Sequence, residues 1–417
     1  MTDPPGSSLF ATDQEPLRQA RFVLRRNRFV LEVDLLPDPI RGEVEGEGAH
    51  RTTASLPNPG RLGEILLPDV ILNLRPGPAG GIHPWRVSSA RLPTGETVYL
   101  DTGGTNGVAR YLLENQLVPT LAPYRVERAE ASLPGTRSRI DYVLTPREAS
   151  DHHDAGGVGG ATIRYLEVKS CTLFNGPFAM FPDAVTERGR RHVEELAETG
   201  AGAVLFIVHS LRTKWFVPDF HSDLAFSRSL ARARFRLPII PVGVGWSNAG
   251  ALEGIRTDIS IPWSRIDRHL VDTGLYMVLL SNPGGRVGVG AMGTITLDAG
   301  WYIYVGSARS GLTARVARHR RRGRKRMHWH IDYLREASRW EEAFLVREPL
   351  AEAPADNREA ALAAAVEEIA DGSLPGFGST DSPRASHLFY FTSDPRRRRA
   401  FVELLLAQRR RSLLSGS

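Results

Sequence analysis

Apolar and polar residues alternate along Arg21–Leu35 (RFVLRRNRFVLEVDL), and again over Val70–Leu74 and Thr97–Asp101, the period expected of strands with one buried face. Turn-forming stretches rich in Gly and Pro, LPDPIRGEVEGEGA, LPNPGRLGE and RPGPAGG, separate them. Short strands joined by long turns predict a small barrel, with an irregular sandwich as the alternative. The pattern becomes helical over Val108–Leu117 and returns to strand over Ser138–Leu144 and Arg164–Val168, around a polar loop, DHHDAGGVGG. A helix over Thr186–Thr199, a buried strand over Ala203–Val208, a helix over Phe226–Arg236 and the strand IIPVGVGW follow. Strands alternating with helices predict an α/β core. Beyond a linker, strands at Gly274–Leu280 and Trp301–Val305 flank a Gly-rich turn, and helices are expected at Leu312–His319, Arg358–Ala370 and Arg397–Leu406.

The chain has 417 residues, enough for two to four domains at roughly 100–200 residues each. Its 41% hydrophobic content excludes disorder as the overall state. One cysteine, Cys171, excludes a disulfide within the chain and any zinc site built from clustered cysteines. Met1–Gln14 lacks the basic start and apolar run of a signal peptide, and the apolar run Ala203–Val208 is too short to span a bilayer. A cytoplasmic protein with no membrane segment is expected. The net charge of +6 is uneven: residues 261–417 carry 24 basic and 17 acidic side chains, so all of the excess lies in the last third. That asymmetry points to a polyanionic partner.

Only three of the 53 basic residues are lysines: Lys169, Lys214 and Lys325. In a chain that writes surface charge as arginine, a retained lysine marks a place where a compact ammonium is wanted. Lys169 stands two residues after Glu167, so both share one strand face, and Asp141 joins them if its strand pairs alongside. Two carboxylates and an ammonium at the end of a sheet are the groups needed to hold Mg²⁺ and orient water against a phosphodiester; alternating charge on a solvated strand is the plainer alternative.

The runs SRIDYVL, YLEVKSCTL and FPDAVTERGRRHVEEL, with LPNPGRLGEIL and DTGGTNGVARYLLENQL upstream, resemble the sugar fermentation stimulation protein A family. The resemblance covers roughly the first 245 residues. It implies an OB-like barrel over 1–95 and a PD-(D/E)XK nuclease-like core over 96–250. By position Asp141 and Glu167 would be metal ligands, Lys169 would orient the attacking water, and Glu114 would add a carboxylate. Arg188 and His192, one helical turn apart beside Asp183 and Glu187, would face the phosphate backbone, with Arg25, Arg26, Arg28 and Arg61 as contacts on the barrel. Ser55-Leu56 stands where relatives often carry His-Cys or His-Val.

Past a linker at 251–270, Tyr276 and Tyr304-Val305-Gly306 precede Leu312, Arg315 and His319, whose spacings share a helix face. The runs WYIYVGSA, RHRRRGRKRMHWHIDYL and FGSTDSPRASHLFYF make about Asp272–Thr392 resemble the GIY-YIG endonuclease domain, which implies such a domain over 271–417. In that fold Tyr276 or Tyr304 would help deprotonate water, Arg315 would stabilise the pentacovalent phosphate, and Glu359 would hold Mg²⁺. The Gly-rich stretch SNPGGRVGVGAMG is an insertion relative to that pattern, and Ala360 and Ser382 stand where relatives of the subgroup carry cysteines. His328, His330 and Asp332 alternate as on a strand, suited to a metal or a DNA-facing cluster. Nine basic residues and no acid fill Arg309–Arg326, so Arg309, Arg318, Arg320, Arg321, Arg322, Arg324, Lys325 and Arg326 join Arg315 as candidate phosphate contacts.

The expected protein is a multidomain α/β and α+β nucleic-acid-binding nuclease using Mg²⁺ or Mn²⁺ on DNA, with RNA as an alternative substrate. A non-cleaving DNA-binding regulator of sugar metabolism genes is the competing expectation.

Overall fold

The structure is a computed structural model that describes residues 17–38, 50–147, 164–323, 327, 329–350, 355–378 and 386–414. Arg324, Lys325, Arg326, His328, Ser382 and the DHHDAGGVGG loop lie outside the described residues. The chain divides into two compact units, the first extending to Asp219 and including Ala225–Pro262, the second comprising Phe220–Leu224 and the residues from Trp263 onward.

The first unit opens with five strands: β1 (Arg18–Asn27), β2 (Val30–Leu35), β3 (Arg51–Ser55), β4 (Ile71–Pro76) and β5 (Trp85–Arg91). They pair in the order β3-β2-β1-β4-β5, and β3 returns to β5 through Ala54 opposite Trp85, which closes the barrel. Alternation in β1 turns Ala20 and Phe22 inward and leaves Gln19 and Arg21 outside. Leu31, Val33, Leu72, Leu74 and Val87 complete an apolar interior, the small barrel that the alternation predicts and the OB-like one that the resemblance implies.

A short strand, β6 (Thr97–Tyr99), carries the sheet out of the barrel. The nuclease-like core is built from α1 (Thr105–Glu114), β7 (Tyr124–Ser132), β8 (Arg139–Pro146), β9 (Arg164–Cys171), β10 (Leu173–Asn175), β11 (Phe178–Phe181), α2 (Glu187–Thr199), β12 (Gly202–Val208), β13 (Trp215–Pro218), α3 (Leu224–Ala233), β14 (Ile239–Trp246) and β15 (Leu252–Arg256). Its main sheet runs β7-β8-β9-β12-β14, with β9, β12 and β14 parallel. All seven residues of β12 are buried, as a central parallel strand covered on both faces requires. Thr97 pairs with Trp246, so barrel and core share one continuous sheet. The expected linker at 251–270 is instead ordered structure, because the apolar positions Leu252 and Ile255 let β15 pair against β14.

The second unit contains α4 (Trp263–His269), β16 (Gly274–Gly288), β17 (Thr294–Ala308), α5 (Leu312–Arg320), α6 (His330–Ala337), β18 (Arg339–Arg347), α7 (Ala355–Glu367), β19 (Gly372–Ser373), β20 (Leu388–Phe391) and α8 (Arg399–Leu414). The antiparallel sheet runs β18-β16-β17-β20-β19. Both its faces are buried: Leu275, Met277 and Val305 pack with Leu362 of α7 and Phe401 of α8, while Tyr276, Val278 and Tyr304 pack with Leu312 of α5 and Ile331 of α6. The Gly-rich stretch expected as a turn continues the two strands to 15 residues each, Val287 pairing with Ile295. The described residues from Trp329 onward form a helix rather than the expected strand: His330 begins α6, and Asp332 serves that helix start by accepting from the Trp329 backbone N–H at 3.1 Å.

Candidate active sites

In the first unit β8 and β9 pair with Tyr142 opposite Leu166, which brings Asp141 beside Glu167 and Lys169. Asp141 Oδ1 accepts from Asn106 Nδ2 of α1 at 2.9 Å, and Oδ2 accepts from the backbone N–H of Val168 at 2.7 Å. Burial and the neighbouring charge of Glu167 hold the Asp141 carboxyl above the ordinary aspartate range, against the opposing pull of those two hydrogen bonds. Glu167 is 4% exposed; its Oε1 accepts from Lys169 Nζ and lies 2.7 Å from His192 Nδ1. Burial alone would push the Glu167 carboxyl up, but His192 and Lys169 outweigh it and hold it below the usual range. Two adjacent carboxyls are thus driven in opposite directions.

Asp141 and Lys169 line a pocket of about 600 Å³ together with Arg188, Asp183, Ser170 and Asn58. Asn58 belongs to the LPNPGR loop of the barrel, which the guanidinium of Arg25 holds by donating to the carbonyls of Gly60 and Arg61 at 2.8 and 2.7 Å. Asp183 Oδ2 accepts from the Arg61 backbone N–H at 2.6 Å, fastening that loop to the core. A Cβ on Gly60 would meet this oxygen at 2.5 Å, so the close approach requires glycine.

In the second unit β16 and β17 place Tyr276 opposite Gly306, and a Cβ at Gly306 would collide with the tyrosine ring. Tyr276 Oη lies 3.0 Å from His319 Nε2 of α5, and Asp332 Oδ1 lies 3.5 Å from the ring's other nitrogen. Burial raises both the Tyr276 and Tyr304 hydroxyls well above the ordinary tyrosine range, so each keeps its proton at neutral pH. Arg315 donates to the Ser307 carbonyl at 2.7 Å with its guanidinium 6.0 Å from the Trp329 ring centre. Glu359 of α7 pairs with His387 at 3.1 Å, and its charge acts on both tyrosines.

The Methanothermobacter thermautotrophicus sugar fermentation stimulation protein homolog is 35% identical over 224 residues, covering 53% of this chain and 82% of its own. The chain belongs to the sugar fermentation stimulation protein family. The Chloroflexus aurantiacus homolog of this family is 32% identical over 242 residues, covering 55% of this chain and 83% of its own. The sugar fermentation stimulation protein RE domain matches residues 104–248. A domain of unknown function, DUF123, matches 275–409; this C-terminal part is GIY-YIG-like. The solved structure of Pyrococcus furiosus SfsA in complex with Ca²⁺ aligns over 61% of this chain and 99% of its own, with a TM-score of 0.49 and 23% identity.

The fold thus brings Asp141, Glu167 and Lys169 together in the family's nuclease-like core, and Tyr276, Tyr304, Arg315, His319 and Glu359 together in the fused unit. It withdraws several expected ligands. Glu114 pairs with Arg110 at 2.7 Å on an exposed face of α1, away from the residues that line the pocket. His192 turns inward to Glu167 and is 3% exposed. Arg25 is committed to loop carbonyls, and Arg26 to Glu32 at 2.6 Å. Arg318 is bound to Asp332 at 2.8 Å and Arg322 to the Ser338 carbonyl at 2.8 Å. Arg28, Arg61 and Arg188 in the first unit, and Arg309, Arg320 and Arg321 in the second, are exposed. Arg28 also lies over the Phe29 ring, 4.7 Å from its centre.

Sequence reasoning missed Asn58, Asn106, Ser170 and His387 as site residues. The first two stand in the LPNPGR and DTGGTNG blocks, where a side-chain amide beside a turn or helix start is the available signal; His387 offers none. Among the described residues no group of three or more His, Cys, Asp or Glu side chains is placed to hold a metal ion, and no helix is long and apolar enough to cross a membrane.

Proposed function

We propose that this protein binds DNA and hydrolyses its phosphodiester bonds with a divalent cation, Mg²⁺ or Mn²⁺, in the pocket of the first unit. The observation that carries this reading is the pair of adjacent carboxyls, Asp141 and Glu167, with Lys169 at the wall of a pocket also lined by Arg188. A half-buried carboxylate beside a buried one that repels it fits a hard cation, which takes one or two carboxylates and keeps its remaining places for water and phosphate. Asp141 and Glu167 would hold the cation, which would supply charge neutralisation at the phosphate and a more acidic water. The protein's own groups do the rest. Asn106 and the Val168 N–H fix the Asp141 carboxylate, His192 fixes Glu167, and the Lys169 ammonium orients the attacking water. Arg188 holds the strand by a phosphate oxygen.

The second unit supports the same chemistry by another route. Tyr276, protonated and joined to His319, passes a proton from water to the imidazole as the phosphate is attacked; Arg315 stabilises the charge that develops, and Glu359 supplies the carboxylate for a cation.

Labelled single-stranded, double-stranded and branched DNA and RNA, incubated with Mg²⁺, Mn²⁺ or EDTA beside Lys169→Ala and Glu359→Ala, test both. Metal-dependent cutting lost in one variant assigns the active unit. Binding without cutting under every condition overturns hydrolysis and favours the regulator.

A further inference from the structure

Behind the pocket wall the buried Trp246 and His209 form a directional chain that ends on the half-buried Ser170. Trp246 of β14 donates its indole N–H to His209 Nδ1 at 3.1 Å, and His209 Nε2 lies 3.1 Å from Ser170 Oγ on β9. His209 is fully buried, and Tyr99 stacks on Trp246 at 4.6 Å and tilts against the imidazole at 5.6 Å, so both planes are fixed. An indole N–H can only donate, so Nδ1 must carry a lone pair. Burial lowers the ring's pKa to about 3, so the imidazole is neutral and its single proton sits on Nε2. That N–H donates to Ser170 Oγ. A serine whose oxygen already accepts keeps its own O–H to give, and Ser170 lines the pocket beside Lys169.

Thr105 adds a second hydroxyl to this wall that a ligand oxygen can take as donor. It lines the same pocket, is 3% exposed, and its Oγ1 has no hydrogen-bond partner among the described residues. A buried hydroxyl left unpaired costs about 1–3 kcal/mol unless a ligand satisfies it.

We infer that Ser170 is a phosphate-binding residue, held as a hydrogen-bond donor by the relay from Trp246 through His209, and that its ligand is a non-bridging phosphate oxygen of the bound strand. The inference rests on the nucleic-acid reading of this pocket. A fixed donor flanked by the Lys169 ammonium and the Arg188 guanidinium selects an acceptor bearing negative charge. Ser170 touches the strand; His209 and Trp246 are positioning residues.

The test uses the full chain and a fluorescein-labelled 20-nucleotide single-stranded DNA. Anisotropy in EDTA measures binding without cutting, and the gel assay with Mg²⁺ measures cleavage. Ser170→Ala is expected to weaken binding about tenfold, the size of one hydrogen bond to a charged group, and to raise KM more than it lowers kcat. Ser170→Thr, which keeps the hydroxyl, restores most of the affinity. Trp246→Phe keeps an aromatic ring but frees Nδ1, so ¹⁵N NMR of histidine-labelled protein shows His209 passing from the Nε2–H tautomer to a mixture, with an intermediate loss of binding. His209→Gln, which identifies the resonance, also retains a donor toward Ser170. Unchanged binding and cleavage in folded Ser170→Ala, or an Nδ1–H tautomer in the unmodified protein, overturns the inference. Binding that depends on Ser170 without any cutting overturns hydrolysis and leaves the phosphate site standing. Absence of binding by the unmodified protein overturns both.

Discussion

In the first unit one oxygen of Glu167 meets both a histidine and a lysine while its neighbour Asp141 is left with neutral donors; in the second, Tyr276 keeps its proton and meets an imidazole. The carboxyl pair stands beside a cavity that Asp141 lines, and the function proposed above would complete its chemistry from outside, by a cation. The tyrosine site centres on two neutral hydroxyls under the charges of Arg315 and Glu359, and under the same proposal would work by moving a proton from Tyr276 to His319. One substrate class would then be served by two arrangements that fail in different ways: the first when its charges are altered, the second when its geometry is.

The largest contrast is in rate. Asp141→Asn is expected to reduce cleavage by the first unit about 10²–10³-fold, the order seen when one electrostatic group is removed. Tyr276→Phe, assayed in that background, removes what the second unit contributes. Equal residual rates in single and double variants, followed on labelled strands, would show that only the first site cuts.

Stability separates the two histidines. His192→Ala takes from Glu167 a partner inside the core and is expected to cost about 3 kcal/mol, as breaking a buried pair does. His319→Ala leaves Asp332 bound to Arg318 and costs less. Urea unfolding of both variants measures the difference, and a larger loss at His319 would reverse the assignment of which site depends on paired charge.

Gly60→Ala and Gly306→Ala probe close approach in each unit, at the Asp183 carboxylate and at the Tyr276 ring respectively. Overpacking of this kind costs about 1–3 kcal/mol. The loop at Gly60 is expected to yield more easily than the strand pair at Gly306, which a smaller shift in the denaturation midpoint would show.

The smallest effect is a displacement in pH. Cleavage by the first unit needs Asp141 ionised, so it fails as pH falls through a value above the ordinary aspartate range. Asn106→Ala removes a hydrogen bond that favours the ionised form and moves that acid limb to higher pH. The stability linkage of the two carboxyls has opposite signs. The raised Asp141 contributes stability below the ordinary aspartate value of about 3.9 and loses it as pH rises through its folded value, whereas the lowered Glu167 contributes above its ordinary value of about 4.3 and loses it as pH falls. An acid limb that stays in place in Asn106→Ala would assign it to another group.

The barrel, the α/β core and the two tyrosine strands were legible because alternation and apolar runs report directly on burial. Glu167 and Lys169 were legible because residue type and a spacing of two suffice to place them on one face, whereas Asp141 depended on the pairing of its strand. Arg25, Arg318 and Arg322 were not, since a guanidinium on a surface and one gathering backbone carbonyls look alike until the chain folds back. The inserted hairpin was legible, but its continuation of the two tyrosine strands was hidden by glycines that interrupt the pattern of Val287, Ile295 and Leu297. MHWHIDYL illustrates a third failure: alternation over a few residues is shared by a strand and by a helix start whose acid serves as a cap. Ser170 was invisible because its role depends on Trp246 and His209, far along the chain.

The pairing of Thr97 with Trp246 bears on how such proteins can be assembled during evolution. A barrel joined to its neighbour by a flexible tether can be lost, duplicated or traded alone. Here the joint is a rung of a shared sheet, and the tryptophan that forms it also orients the histidine behind Ser170. β6 pairs with the last barrel strand on one side and meets Trp246 on the other, so removing the barrel would strip the support from the strand that holds the very residue setting the pocket's donor.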